Sequence, residues 1–166
     1  MRWYVSDRAD PRALPLANRH YNRQTPESPQ FVPPGRCLVL LTADATALWV
    51  TSWPAFARHA WSGAWVNTLF RNERPDLHLS SELIREAVAA TLARFGDPPA
   101  LGMVTFVQPS AVRRKRDPGR CYRRAGFRVV GAAEVHQHVA LQLLPHEMPP
   151  AESAHGAQER LWQVSP

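Results

Sequence analysis

The stretch TLFRNERPDLHLSSELIREAV, residues 68–88, decides how this chain is read. It runs from the end of an apolar strand, through a short polar loop, into a helix. Leu83, Ile84, Ala87, Val88, Thr91, Leu92 and Phe95 recur at alternating steps of one and three, which is one face of an α-helix. Ser80 or Ser81 is the expected N-cap, Glu82 suits the positive end of the helix dipole, and Gly96 followed by Asp-Pro-Pro ends the helix. A strand that hands over to a helix in this way is where α/β sheets hold ligands. The junction carries no glycine. It offers Arg71, a candidate clamp for a planar anion, and the amide groups of a helix that opens on two serines. An Arg71–Glu73 ion pair, and plain capping by Ser80 or Ser81, are the structural alternatives for the same residues.

Upstream of this stretch, CLVLLT (37–42) and ALWVTSW (47–53) read as strands joined by the hairpin signal ADAT, and AWVNTLFRNE (64–73) as a third. Before them, Asp10 and Pro11 open an expected short helix that Pro15 interrupts, and RQTPESPQFVPPGR is loop. Downstream, LGMVTFVQ (101–108) has the apolar character of a central strand covered on both faces. GRCYRRAGF predicts a short helix ending at Gly126, and FRVVGAAEV and HVALQLL predict two final strands. From Pro145 onward the chain is polar and proline-containing and is expected to be largely loose. The order is helix, three strands, long helix, strand, short helix, two strands. It predicts an α/β (α+β) fold: a mixed, mostly antiparallel central sheet with helices on both faces. One domain over 1–145 is expected, with 1–36 as an N-terminal helix and proline-rich loop and 146–166 as a tail.

Charge is unevenly placed. Between Arg113 and Arg128 lie eight basic residues (Arg113, Arg114, Lys115, Arg116, Arg120, Arg123, Arg124, Arg128) against one acid, Asp117. With a formal net charge of +6 for the whole chain, the remainder is nearly neutral. A single basic stripe reads as an anion site for nucleic acid or a polyphosphate cofactor, and Arg113, Arg114, Lys115, Arg116, Arg120 and Arg123 are the candidate nucleic-acid contacts. A solvated arginine-rich turn is the alternative. No apolar run reaches the roughly 20 residues of a membrane span, and the N-terminus has no signal-peptide core. Cys37 and Cys121 stand far apart in no metal spacing. A cytoplasmic protein with no membrane partner is therefore expected.

Other residues carry groups capable of chemistry. Tyr122 on the short helix reads by itself as a half-buried packing residue. His20 and Tyr21 stand at the mouth of the proline-rich loop, as site residues or as a loop anchor. Trp49, Trp53, Trp61 and Trp65 read mostly as core, with one or two available to stack on a flipped base. His136 and His138 fall on one side of a strand, but no further ligands sit at zinc spacing, so they read as an edge-strand pair. Nothing matches a Ser-His-Asp triad or a Walker loop.

Taken with the element order, Tyr122-Arg-Arg-Ala-Gly126-Phe127 ahead of two last strands resembles the GNAT acetyltransferase superfamily over about residues 36–144. That resemblance implies a tyrosine general acid at Tyr122. In the family, the third-strand junction carries a glycine loop that binds the CoA pyrophosphate. Here Pro75 removes a donor, and Glu73 and Asp76 would repel phosphate. A branch without that loop is the Mom type of phage DNA-modification protein, which converts adenine in DNA to a carbamoylmethyl derivative at N6. His20-Tyr21-Asn22 before a proline-rich loop, an arginine after the third strand, serines opening the long helix and the Tyr122 segment are similar to that type. The resemblance implies a transferase with Tyr21, Arg71, Ser80 or Ser81, and Tyr122 as active-site residues. It implies DNA as the partner and leaves the donor cofactor unknown. Gln108 stands where an acid is sometimes expected. An acyl-CoA-dependent N-acetyltransferase using acetyl-CoA on a small amine, and a non-catalytic nucleic-acid-binding module, are the alternatives.

Overall fold

The structure, a computed structural model, describes residues 1–26, 28–32, 34–54, 60–112, 117–133 and 138–156. Its strands are β1 (Trp3–Ser6), β2 (Arg36–Thr42), β3 (Ala47–Trp53), β4 (Trp65–Asn72), β5 (Met103–Val107), β6 (Arg128–Ala133) and β7 (His138–Leu143). The helices are α1 (Leu14–Asn18), α2 (Ser80–Phe95) and α3 (Arg120–Arg124). The strands form one mixed sheet in the order β1-β2-β3-β4-β5-β7-β6, antiparallel except for the β4/β5 pair. The mostly antiparallel α+β architecture expected above is therefore present. No helix among the described residues is long and apolar enough to cross a membrane.

Strand periodicity sorts the core. Leu38 and Leu40 of β2, with Ala47 and Trp49 of β3, pack with Leu83, Ile84, Ala87 and Val88 of α2 and with Tyr122 of α3. The alternate residues Val39, Leu41, Leu48 and Val50 join Leu16 and Ala17 of α1 and Phe31 and Val32 in a second cluster. Successive side chains of a strand point to opposite faces, so the two clusters lie on opposite sides of the sheet. Most polar atoms inside them are paired, as burial demands, although the buried Trp65 Nε1 has no partner among the described residues. Trp49 Nε1 donates to Thr51 Oγ1 at 2.6 Å, Thr51 and Thr91 share a 3.1 Å hydrogen bond, and Thr91 Oγ1 donates to Ala87 O.

Four expectations need correction. The first is an unforeseen strand, β1, held by Trp3, whose indole is fully buried and donates from Nε1 to Leu83 O at 2.9 Å. Second, α1 starts at Leu14 with Pro15 in its first turn, where a missing amide costs nothing, while Asp10 bonds Ser6 and Arg12 instead of capping it. Third, Leu79, with extended backbone, takes the cap position of α2, so Ser80 and Ser81 are its first two helical residues and cap nothing. Fourth, residues 145–156 are docked. Pro145–Glu147 form a 3-10 turn, Ala154 is buried, and His155 exchanges backbone hydrogen bonds with Trp3 and Val5 at the β1 edge. Leu161 and Trp162, the apolar tail residues expected to dock if any of the tail does, lie outside the described residues.

The feature that matters for function is where β4 and β5 part. They pair over three rungs only, Trp65↔Met103, Val66↔Val104 and Asn67↔Thr105. Beyond Asn67, β4 stays with β3 and β5 stays with β7. The β3/β4 register shifts at this point, with Val50 opposite Leu69 but Thr51 opposite Asn67, which leaves Thr68 as an extra residue. A bulge bends its strand, and this one, set by pairing with β3, lies where β4 and β5 part.

Candidate active-site cleft

A cleft of about 960 Å³ opens between the parted strands. Tyr21, Arg71, Ser80, Ser81 and Tyr122, which lie as far as a hundred positions apart in sequence, all line it. Arg120 and Arg124, both exposed, also reach its wall. Arg123 does not line the cleft and is ion-paired with Asp117. Arg113, Arg114, Lys115 and Arg116 lie outside the described residues, as does His136.

At one rim, Glu73 gathers two arginines. Arg71 Nε and Arg19 Nε each donate to Oε1 at 2.7 Å, and Arg19 Nη2 donates to Oε2 at 2.8 Å. Arg71 Nη1 also donates to the Arg19 carbonyl at 2.7 Å. The hydrogen bond from Arg19 is the largest of the effects that lower the Glu73 pKa; burial opposes it, and Arg71 adds to the lowering. The Arg71–Glu73 ion pair named above as the alternative thus exists, in a cluster whose formal charge is positive. Asp76 is paired with Arg74 in the same way. The acids that looked repulsive to an anion in the sequence are each matched by an arginine.

This clamp carries the segment after α1 across the opening. The Tyr21 hydroxyl donates to Phe106 O of β5 at 3.1 Å, and Asn22 Nδ2 donates to Thr68 O of β4 at 3.3 Å. The backbone edges that the parting strands expose are therefore partly taken by side chains. Burial raises the Tyr21 pKa, partly opposed by a hydrogen bond with the backbone of Gln108. His20 stacks on Tyr21 with ring centroids 4.4 Å apart, and its Nδ1 accepts the Asn22 N–H at 3.2 Å. In a neutral ring the proton then sits on Nε2. His20, expected as a site residue or a loop anchor, here orders the segment that crosses the cleft through its contacts with Tyr21 and Asn22.

Burial, assisted by the Arg71 charge, lowers the His20 pKa from 6.5 to about 4. The unfolded chain therefore takes up this proton before the folded one as pH falls, and stability drops between about pH 6.5 and 4. The loss is on the order of 2–3 kcal/mol by the lower end of that window. Urea denaturation near neutral pH and near pH 4.5 measures it. His20→Gln should remove most of this drop, whereas an unchanged drop would assign the acid sensitivity to carboxylates such as Asp10 and Glu73.

At the other rim, Asn72 Nδ2 donates to His78 O at 2.7 Å and to Ser80 Oγ at 3.0 Å, which ties the start of α2 to the end of β4. Ser81 is 8 % exposed, and its hydroxyl has no hydrogen-bond partner among the described residues. Beside it, the first turn of α2 leaves amide groups without helical acceptors. This rim is rich in donors.

At the apex, Tyr122 is 7 % exposed, and its hydroxyl donates to Asn67 Oδ1 at 2.6 Å. Burial pushes the phenol well above its ordinary pKa, Cys121 adds to the rise, and a Thr105 hydrogen bond opposes it. Tyr122 is therefore a neutral phenol at physiological pH. Trp49 and Trp65 are fully buried and cannot stack on a base, while Trp53 holds the Arg36 guanidinium at 4.4 Å at the opposite end of the sheet. Comparison with protein-family models, with curated proteins and with solved structures yields no match for this chain.

Proposed function

We propose that this chain is a GNAT-like transferase of the Mom type, which modifies a nucleobase in DNA. The observation that carries the reading is the gathering of Tyr21, Arg71, Ser80, Ser81 and Tyr122 around one cleft between strands that part. The mixed, mostly antiparallel seven-stranded sheet supports the GNAT-like part, in which α1 would cover one face and α2 and α3 the other. The cleft volume lies at the upper end of the roughly 300–1,000 Å³ of small-molecule sites and suits an extruded base beside a donor molecule. Exposed Arg120 and Arg124 at the wall, which follow the basic run at 113–116 after Asp117-Pro118-Gly119, suit a phosphate backbone. Arg71 and the start of α2 would hold a carbonyl or anionic group of the donor. Mass spectrometry of nucleosides from the DNA of cells expressing the protein tests this. A new modified nucleoside is expected, and its absence from DNA with intact folded protein overturns the reading.

The acyl-CoA alternative is disfavoured by two features. Pro75 takes an amide donor from the glycine-free junction, and Asn22 and Tyr21 already occupy carbonyls that an extended amide chain would use. Acetyl-CoA is therefore expected to bind with Kd above roughly 100 µM. Calorimetric titration checks it, and low-micromolar binding would favour acyl transfer to a small amine.

A further inference from the structure

Asn67 and Thr105 form the last rung shared by β4 and β5, and both are buried, at 4 % and 3 % exposure. Asn67 Nδ2 donates to Val50 O at 3.0 Å and to Leu69 O at 2.9 Å, beside the bulge. An amide nitrogen has two protons, so both are spent on these carbonyls. The carboxamide is thereby oriented, because the opposite flip would set Oδ1 against two carbonyl oxygens. Oδ1 carries no proton, so in its 2.6 Å contact with Tyr122 the phenol must donate. Thr105 Oγ1 lies 3.2 Å from both Asn67 O and Asn67 Oδ1. Its single proton stays within the triad. What the three residues leave for a ligand is oxygen lone pairs.

We infer that Asn67 makes the apex of this cleft an acceptor-only surface, and that this surface takes the N–H of an uncharged amino group such as the exocyclic amine of a nucleobase. Tyr122 touches the amine, and Asn67 is the positioning residue that commits the phenol's proton inward. A carbonyl or carboxylate placed here would meet lone pairs with no proton between them. An ammonium would shed its hydration onto a neutral, nearly dry surface, which is costly. The donors of the cleft sit elsewhere, at His20 Nε2, Ser81 Oγ and the α2 amides. A ligand is therefore sorted end to end, amine toward the apex and carbonyl or anion toward α2. Tyr122 can protonate a leaving group only by breaking its bond to Asn67, so its resting role differs from the general acid that the family resemblance implies. The inference rests on the proposed base-modifying reading only for the choice of a nucleobase as the amine.

The test uses the full chain and two pairs of uncharged probes followed by NMR titration: 9-methyladenine against its N6,N6-dimethyl form, and aniline against N,N-dimethylaniline. 9-Methyladenine should bind at least about tenfold more tightly than the dimethyl form, since a site built around an N–H rejects the analogue that lacks it. Tyr122→Phe and Asn67→Leu should each shrink that preference to about twofold or less. The Tyr122 hydroxyl proton should give a slowly exchanging resonance that Asn67→Leu abolishes. Tyr122→Phe keeps the test decisive where Asn67→Leu fails to fold. A preference within the aniline pair alone supports the acceptor surface and sinks the nucleobase. A preference within the adenine pair without modified DNA in cells supports the surface and sinks the proposed function. Equal affinity within both pairs, or no binding by any probe, overturns the inference.

Discussion

Tyr122→Phe is expected to lower base modification by about ten- to hundredfold while leaving the fold nearly intact. The phenol is the polar group at the apex of the cleft whose ring is already fixed by packing, with Phe127 at 5.4 Å and Phe70 at 6.1 Å between ring centroids. Phenylalanine keeps those contacts and removes one oxygen. A hydrogen bond to an amine nitrogen that gains positive charge as it attacks costs about 1.5–3 kcal/mol when lost, which is roughly ten- to hundredfold in rate. The stability cost is smaller. Asn67 Oδ1 loses one donor but keeps Thr105 within 3.2 Å, so about 1 kcal/mol is expected. For a domain of this size that is a shift in Tm of roughly 2–4 °C. Quantifying the modified nucleoside alongside Tm separates the two effects. Activity that falls only in step with folded protein would leave Tyr122 as a packing residue.

Gly102→Ala should have the largest effect on stability. Gly102 adopts φ +63°, where an L side chain is strained, and it connects the start of β4 to the start of β5. Its carbonyl accepts the Trp65 N–H at 2.9 Å, and its own N–H donates to Pro99 O at 2.7 Å. A Cβ built there would lie 2.1 Å from Leu143 O and 3.1 Å from Leu144 Cα. Those atoms are backbone of β7 and its exit, so no rotamer change relieves the clash. Either β5 and β7 shift, or the Gly102 turn opens. Overpacking of this kind together with the left-handed penalty costs about 3 kcal/mol or more, or roughly 6–12 °C in Tm. Thermal unfolding followed by circular dichroism reads it directly. Gly63→Ala is the control. Gly63 also has positive φ, at +92°, but a Cβ there meets no atom within 4 Å among the described residues, so only the roughly 1 kcal/mol of backbone strain remains. Equal losses in the two variants would mean that the β7 contact adjusts freely.

Parts of this architecture were legible because their cause is local. The α2 face was readable because apolar residues repeat at the helical period, and the same residues are buried in the structure except Leu92, which is half-buried. The β2–β3 hairpin was readable from a turn sequence between two apolar runs, and the last three strands and α3 were readable for similar reasons. Other parts had no local cause. β1 is four residues long and exists because one indole reaches Leu83, some 80 positions away. Docking of residues 145–156 depends on the edge that β1 presents. Ser80 and Ser81 looked like caps, since capping is what serine does before a helix, yet the backbone turn places Leu79 there and frees both serines to face the cleft.

The candidate site divides the same way. Residue chemistry pointed to Arg71 and the serines at the junction, and the family resemblance added Tyr21 and Tyr122; a side chain's donors, acceptors and charge belong to the residue wherever it lies. Their meeting in one cleft depends on two strands parting after Asn67, and that follows from a bulge defined only by pairing with β3. The polarity of the apex is also tertiary. A phenol donates or accepts equally well on its own, and Tyr122 is committed to donating inward because Val50 and Leu69 occupy both protons of the Asn67 amide. Sequence determined which groups this protein has to work with; the folded sheet decided which of their protons are already spent, because hydrogen-bond direction is set by neighbours that are close in space and distant in sequence.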